Sequence, residues 1–296
     1  MLPSLPSNPW GGLDPAVHRA WLAAVLAEDV GAGDITSEAV IPAAARASGH
    51  LLAKSPCVVA GMALAADLIA QCDARAVWTA QVRDGDRLEP GVVLATVQGS
   101  ARGLLRAERT LLNVLQHLTG VATLTRRFVD AAGGRMVILD TRKTLPGMRM
   151  LEKYAVRCGG GQNHRFGLYD AILIKDNHIR VAGSIAEAVR RARRTIAARE
   201  LEGMTIEVEA QSLAQVEEAA SAGVDVIMLD NLTDDQMRDA VTVIAGRARI
   251  ELSGGVTLER IAALCEIGAD YVSVGALTHS APAADISFEV EMETSA

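Results

Sequence analysis

Six short apolar runs in the second half of the chain end in residues able to do chemistry. MVILDT (136–141) leads into Asp140-Thr141-Arg142-Lys143-Thr144, and AILIKD (171–176) into Lys175-Asp176-Asn177-His178. TIEVEA (205–210) carries Glu207 and Glu209, and VIMLDN (226–231) ends at Asp230-Asn231. RIELSGG (249–255) closes on Ser253-Gly254-Gly255, and YVSVGA (271–276) on Gly275-Ala276. One charged or glycine-rich run end is ordinary. Agreement at all six is what a site assembled from strand ends requires.

The signs of charge are sorted. From Arg142 to Arg180 there are eight basic residues (Arg142, Lys143, Arg149, Lys153, Arg157, Arg165, Lys175 and Arg180) against three acids, Glu152, Asp170 and Asp176. Such an excess within a chain of net charge -7 points to an anion pocket. Arginine forks suit carboxylates and phosphates, and lysine supplies a compact charge. Arg149, Lys153 and Arg157 share a helical stretch and read as surface residues, whereas Arg142, Lys143 and Lys175 abut strand ends. Gly159-Gly160-Gly161-Gln162-Asn163-His164-Arg165 reads as a flexible link into a ligand-binding His-Arg pair.

Glu209 and Asp230 form the opposite pole. Two carboxylates ending adjacent strands can share a hard cation such as Mg²⁺, or can instead pair with the nearby lysines and arginines. Glu207 has the parity of Glu209, so both are expected to face the barrel interior. The SGG and VGA turns suit a phosphate cradle of backbone N–H groups. The sequence has no GxSxG elbow and no cysteine at a strand end. Chemistry without a protein nucleophile, such as phosphoribosyl transfer, therefore fits, with positioning and charge neutralisation carrying the catalysis. A Schiff-base aldolase using Lys175 is the rival.

The elements that must hold these residues follow from the wider pattern. A length of 296 residues suggests two domains, or one barrel with an appendage. Half the residues are hydrophobic, enough for a sizeable core, while 3% aromatic content and the negative charge argue against nucleic acid. Cys57, Cys72, Cys158 and Cys265 are too scattered for a zinc or disulfide framework. Neither a signal peptide nor a membrane span is evident, so a soluble cytoplasmic protein is expected. Residues 1–12 read as a flexible tail and 15–29 as a helix. Residues 46–99 read as a small sheet with a helix at 62–71. Residues 101–132 read as a helical stretch with a break at Thr119-Gly120. Thereafter strand-like and helical segments alternate, implying parallel strands in a barrel. The Arg-rich run 190–199 reads as a solvated helix face, and 285–292 as a further strand.

The stretch ILDTRKTLPGMRMLEKYAVRCGGGQNHRFGLYDAILIKDNHI resembles the signature of the quinolinate phosphoribosyltransferases. EDVGAGDIT, AERTLLNVLQHLTGVAT, IEVEA, MLDN, ELSGGV and VGALTHS resemble other blocks of that family in the same order. The resemblance implies an α/β fold: an N-terminal α/β sandwich and an incomplete, seven-stranded TIM-like α/β barrel. It places the sandwich at 13–118, joined by a C-terminal strand at 283–293, and the barrel at 119–282. It further implies phosphoribosyl transfer from phosphoribosyl pyrophosphate to quinolinate with loss of CO₂, giving nicotinate mononucleotide for NAD synthesis. Arg109, Arg142, His164 and Arg165 would bind the quinolinate carboxylates. Lys143 and Lys175 would face ligand or phosphate charges, and Glu209 and Asp230 would serve metal and ribose. Ser253, Gly254, Gly255 and Gly275 would hold the ribose phosphate. Mg²⁺ and no organic cofactor are implied, as is a homodimer, or a higher oligomer, with shared active sites. Alternatives are a related barrel transferase acting on another ring acid and a non-catalytic phosphate-metabolite binder.

Overall fold

The structure is a computed structural model that describes residues 15–292. The stretch 1–12, read as a tail, lies outside them. The described residues divide into two compact units, one of residues 15–126, 150–160 and 280–292, the other of 127–149 and 161–279.

The first unit opens with α1 (Pro15–Val30) and α2 (Ile35–Val40), the latter capped by the Asp34 carboxylate, which accepts from Ser37 N. Next come β1 (Arg46–Ala53), β2 (Cys57–Val58), α3 (Met62–Cys72), β3 (Val77–Ala80), β4 (Arg87–Leu88) and β5 (Val93–Ser100). The long α4 (Ala101–Ala132) follows without interruption. A break was expected at Thr119-Gly120, and none occurs. Gly120 is small for another reason: a Cβ there would lie 2.1 Å from the Pro282 carbonyl oxygen. The α4 threonines also bind neighbouring chain, since Val58 N donates to Thr123 Oγ1 and Ala60 N to Thr119 Oγ1.

The second unit is a parallel β/α array. Its strands are β6 (Val137–Leu139), β7 (Ile172–Ile174), β8 (Ile206–Ala210), β9 (Val226–Asp230), β10 (Arg249–Ser253) and β11 (Tyr271–Ser273). Between them lie α5 (Arg149–Cys158), α6 (Asp176–Ala182), α7 (Ile185–Ala198), α8 (Leu213–Ser221), α9 (Asp234–Ile244) and α10 (Ile261–Cys265), with α11 (Ala276–His279) after β11. Apart from its first residue, α5 belongs to the first unit. The sheet order is β6-β11-β10-β9-β8-β7, all parallel. Every residue of β8 is buried, as strands covered on both faces must be.

Seven strands were expected, and six pair as strands. The seventh position is a single parallel bridge of Gln162 to Leu139 on β6. His164, just beyond that bridge at one edge of the sheet, lies 3.0 Å from Glu207 on β8 near the other edge. The sheet therefore curls into a barrel. The last described element is β12 (Ile286–Met292), which pairs antiparallel with β1 in the sheet β12-β1-β5-β3 of the first unit.

Three local expectations change. Lys153, read as a surface residue, is fully buried. Arg149 is half-buried and braces its surroundings, donating to Thr144 Oγ1, the Phe166 carbonyl and the Arg142 carbonyl. The GGG link is packed rather than loose: a Cβ on Gly159 would sit 2.4 Å from the Ala122 carbonyl oxygen. The Arg190–Arg199 run does lie on an exposed helix face, with Arg190 and Arg191 paired to Glu187. Among the described residues, no helix is long and apolar enough to cross a membrane.

Candidate active site

Parallel strands in register bring their carboxyl ends together, and the side chains at those ends meet in one cavity of about 490 Å³. Arg142, Lys143, His164, Arg165, Lys175, Glu209, Asp230, Ser253, Gly254 and Gly255 all line it. Gly275 does not. It supports the rim, where a Cβ would come within 3.1 Å of Lys143 Cδ. Arg109 is exposed on α4 and belongs to the other unit.

The cationic wall is built from the loop after β6 and the segment after the Gln162 bridge. Lys143 N donates to Thr141 Oγ1 at 3.0 Å, and Thr278 Oγ1 donates to the Lys143 carbonyl at 2.7 Å. Arg142 Nε is buried and finds no hydrogen-bond partner among the described residues, a donor left over for an anion. Buried Arg165 donates to the Ala171 carbonyl at 3.2 Å. Burial, and then the neighbouring Arg142 charge, pull Arg165 below the ordinary arginine range. Two like charges held together, partly offset by Glu207 and Asp170, are an arrangement that a bound dicarboxylate would relieve further.

Register sets the opposite wall. Glu209 pairs across to Met228, Met228 to Glu251, and Asp230 to Ser253. Glu209 is buried and forms an ion pair with Lys175 Nζ. The Asp230 carboxylate accepts from Asn231 Nδ2 at 2.9 Å and from Gln211 Nε2 at 3.4 Å. These are hard oxygen donors at adjacent strand ends, a set that fits Mg²⁺ held directly or through its waters.

At the floor of the cavity, which His164 and Glu251 line, lies a buried group that strand-end reasoning only half found. His164, Glu207 and Glu251 present their polar atoms within 4.8 Å of one another. Asp140, also buried, accepts from His164 N at 2.9 Å and from Asn163 Nδ2 at 2.5 Å. Burial, and then the Glu207 charge, push Glu251 up to about 8. A charged residue inside the apolar run RIELS was the available signal for Glu251. A larger cavity, about 920 Å³, opens at the opposite strand ends, around turn glycines and the Arg249–Asp270 ion pair. Strand starts of a barrel carry stability rather than chemistry.

Comparison with known proteins bears on the same residues. The family described as quinolinate phosphoribosyl transferase, C-terminal domain, matches residues 121–289, and the corresponding N-terminal domain matches 34–119. The chain belongs to the quinolinate phosphoribosyltransferase family. Among the family's members, the probable nicotinate-nucleotide pyrophosphorylase [carboxylating] of Bacillus subtilis is 44% identical over 90% of each chain. The nicotinate-nucleotide pyrophosphorylase [carboxylating] of Mycobacterium leprae is 45% identical over 90% of this chain and 94% of its own. The crystal structure of NadC from Streptococcus pyogenes superposes with a TM-score of 0.90 at 44% identity, covering 95% of this chain and 99% of its own. This quinolinate phosphoribosyltransferase chain thus spans nearly the full length of those relatives.

Proposed function

We propose that the chain joins quinolinate to phosphoribosyl pyrophosphate, releasing pyrophosphate and CO₂ and yielding nicotinate mononucleotide for NAD synthesis. The observation that carries this is the charge in the cavity: Arg142, Lys143 and Arg165 from the β6 side, and Glu209 and Asp230 on β8 and β9, with Lys175 paired to Glu209. Arg142 and Arg165 meet the two carboxylates, and Lys143 and Lys175 face phosphate charge. The Ser253-Gly254-Gly255 turn offers its backbone N–H groups to the ribose phosphate.

Glu209 and Asp230 would hold Mg²⁺, which when bound neutralises charge on the departing pyrophosphate. The chain's own task is to align pyridine nitrogen and ribose carbon and to keep bulk water away. Once the nitrogen is quaternised, the ring carbon keeps the electron pair left by CO₂, the cationic wall stabilises that charge, and a proton from solvent then takes the place of the lost carboxylate. Lys175, held against the Glu209 carboxylate, is poorly placed to be an aldolase nucleophile.

The working form is a cytoplasmic homodimer in which each chain lends Arg109 to its partner's cavity. Product analysis tests the reaction: CO₂ and pyrophosphate should appear in equal amounts with the nucleotide. Equal use of nicotinate in place of quinolinate would defeat the dicarboxylate reading.

A further inference from the structure

A histidine in a basic cluster reads first as a donor to an anion. The hydrogen bonds of His164 assign it a different task. The Arg165 backbone N–H donates to His164 Nδ1 at 2.8 Å, so that nitrogen accepts and carries no proton. The ring proton then sits on Nε2, 3.0 Å from Glu207 Oε2 and 3.6 Å from Glu251 Oε2. The His164 backbone N–H is held by Asp140 at 2.9 Å. All of these side chains are buried. Both ring nitrogens are therefore committed within the protein.

The imidazole secures the peptide that leads into Arg165, which lines the cavity. Histidine suits this role because its two nitrogens lie on opposite edges of a rigid plane. One can receive a backbone N–H while the other reaches across the barrel to β8 and β10. A flexible amide of similar reach would keep the bond to Glu207 and lose the bond to Arg165 N.

We infer that His164 is a positioning residue, clamped by Glu207, Glu251 and Asp140, which sets Arg165 in the anion subsite without touching the bound ring acid. The inference rests on the cavity being a quinolinate site.

A thermodynamic cycle tests it on the full-length protein. Quinolinate and phosphoribosyl pyrophosphate are each titrated by calorimetry into wild type, His164→Gln, Arg165→Ala and the double variant. Arg165→Ala is expected to weaken quinolinate about tenfold or more. His164→Gln alone is expected to weaken it about threefold to tenfold, with phosphoribosyl pyrophosphate nearly unaffected. In the Arg165→Ala background its further effect should fall below about twofold, because contacts that act through one another do not add. Losses that multiply in the double variant mark a direct contact and overturn the inference. Wild-type affinity in His164→Gln overturns it too. If His164→Gln does not fold, Glu251→Gln takes its place in the cycle with the same expectation. A wild type that binds no quinolinate would sink the functional reading instead. The clamp is then decided by ¹⁵N spectroscopy of the ring, where a proton on Nδ1 contradicts it.

Discussion

Gly254 leaves open the space that the Asn231 amide fills: a Cβ on Gly254 would lie 2.2 Å from Asn231 Oδ1. Asn231 itself has a left-handed backbone, φ 55°, and donates to Asp230. The phosphate turn and the proposed metal carboxylate are therefore mechanically linked. Gly254, at φ 92°, would also carry about 1–3 kcal/mol of strain with any side chain. Gly254→Ala should raise KM for phosphoribosyl pyrophosphate at least about tenfold and leave quinolinate affinity nearly intact. An unchanged KM would break the link.

Arg142→Ala should weaken quinolinate far more than phosphoribosyl pyrophosphate. Removing one side of a desolvated charge pair costs about 2–5 kcal/mol, or well over an order of magnitude in affinity. Equal losses for both substrates, measured by titration, would contradict the assignment.

Chelation should abolish turnover, and added Mg²⁺ should restore it. Asp230→Asn should impair use of phosphoribosyl pyrophosphate because it removes a charged oxygen donor. Full activity in excess chelator would refute the cation role given to Glu209 and Asp230.

Mixing two inactive variants, Arg109→Ala and Lys175→Ala, tests whether Arg109 acts in the partner's site. Random reassembly makes half the dimers mixed, each with one intact site, so activity should recover to about a quarter of wild type. A mixture that stays inactive despite confirmed subunit exchange would place Arg109 in its own subunit's service.

Gly120→Ala should destabilise the protein by about 1–3 kcal/mol, because the added methyl meets the Pro282 backbone within α4's packed surface. The expected readout is a melting temperature lower by at least a few degrees. No loss would mean that the 282–283 segment yields freely.

That the strand-end residues share one cavity was legible because a parallel barrel gathers the residues that follow each apolar run, whatever the exact register. Arg142, Lys143, Lys175, Glu209 and Asp230 could thus be picked out from position alone. Relationships that depend on register between strands were not legible. The Asn231–Gly254 contact needs β9 and β10 aligned, and the His164–Glu207–Glu251 group needs the sheet curled. Gly120 and Lys153 misled for a related reason: a glycine in a helix and a lysine among charged residues look like a break and a solvated face. Only the backbone or core placed against them shows otherwise.

The pairing of β1 with β12 has a consequence during synthesis. Ala53 is matched to Ile286, more than two hundred positions later. At about 5–20 residues per second, β1 emerges from the ribosome on the order of ten seconds or more before its edge partner exists. Throughout that interval the nascent sheet presents an unsatisfied row of backbone donors and acceptors, a template for other chains. The segment Ile286–Met292 therefore decides whether the sheet built on β1 survives translation unaggregated. Loss of β12 should be felt in yield before it is felt in catalysis.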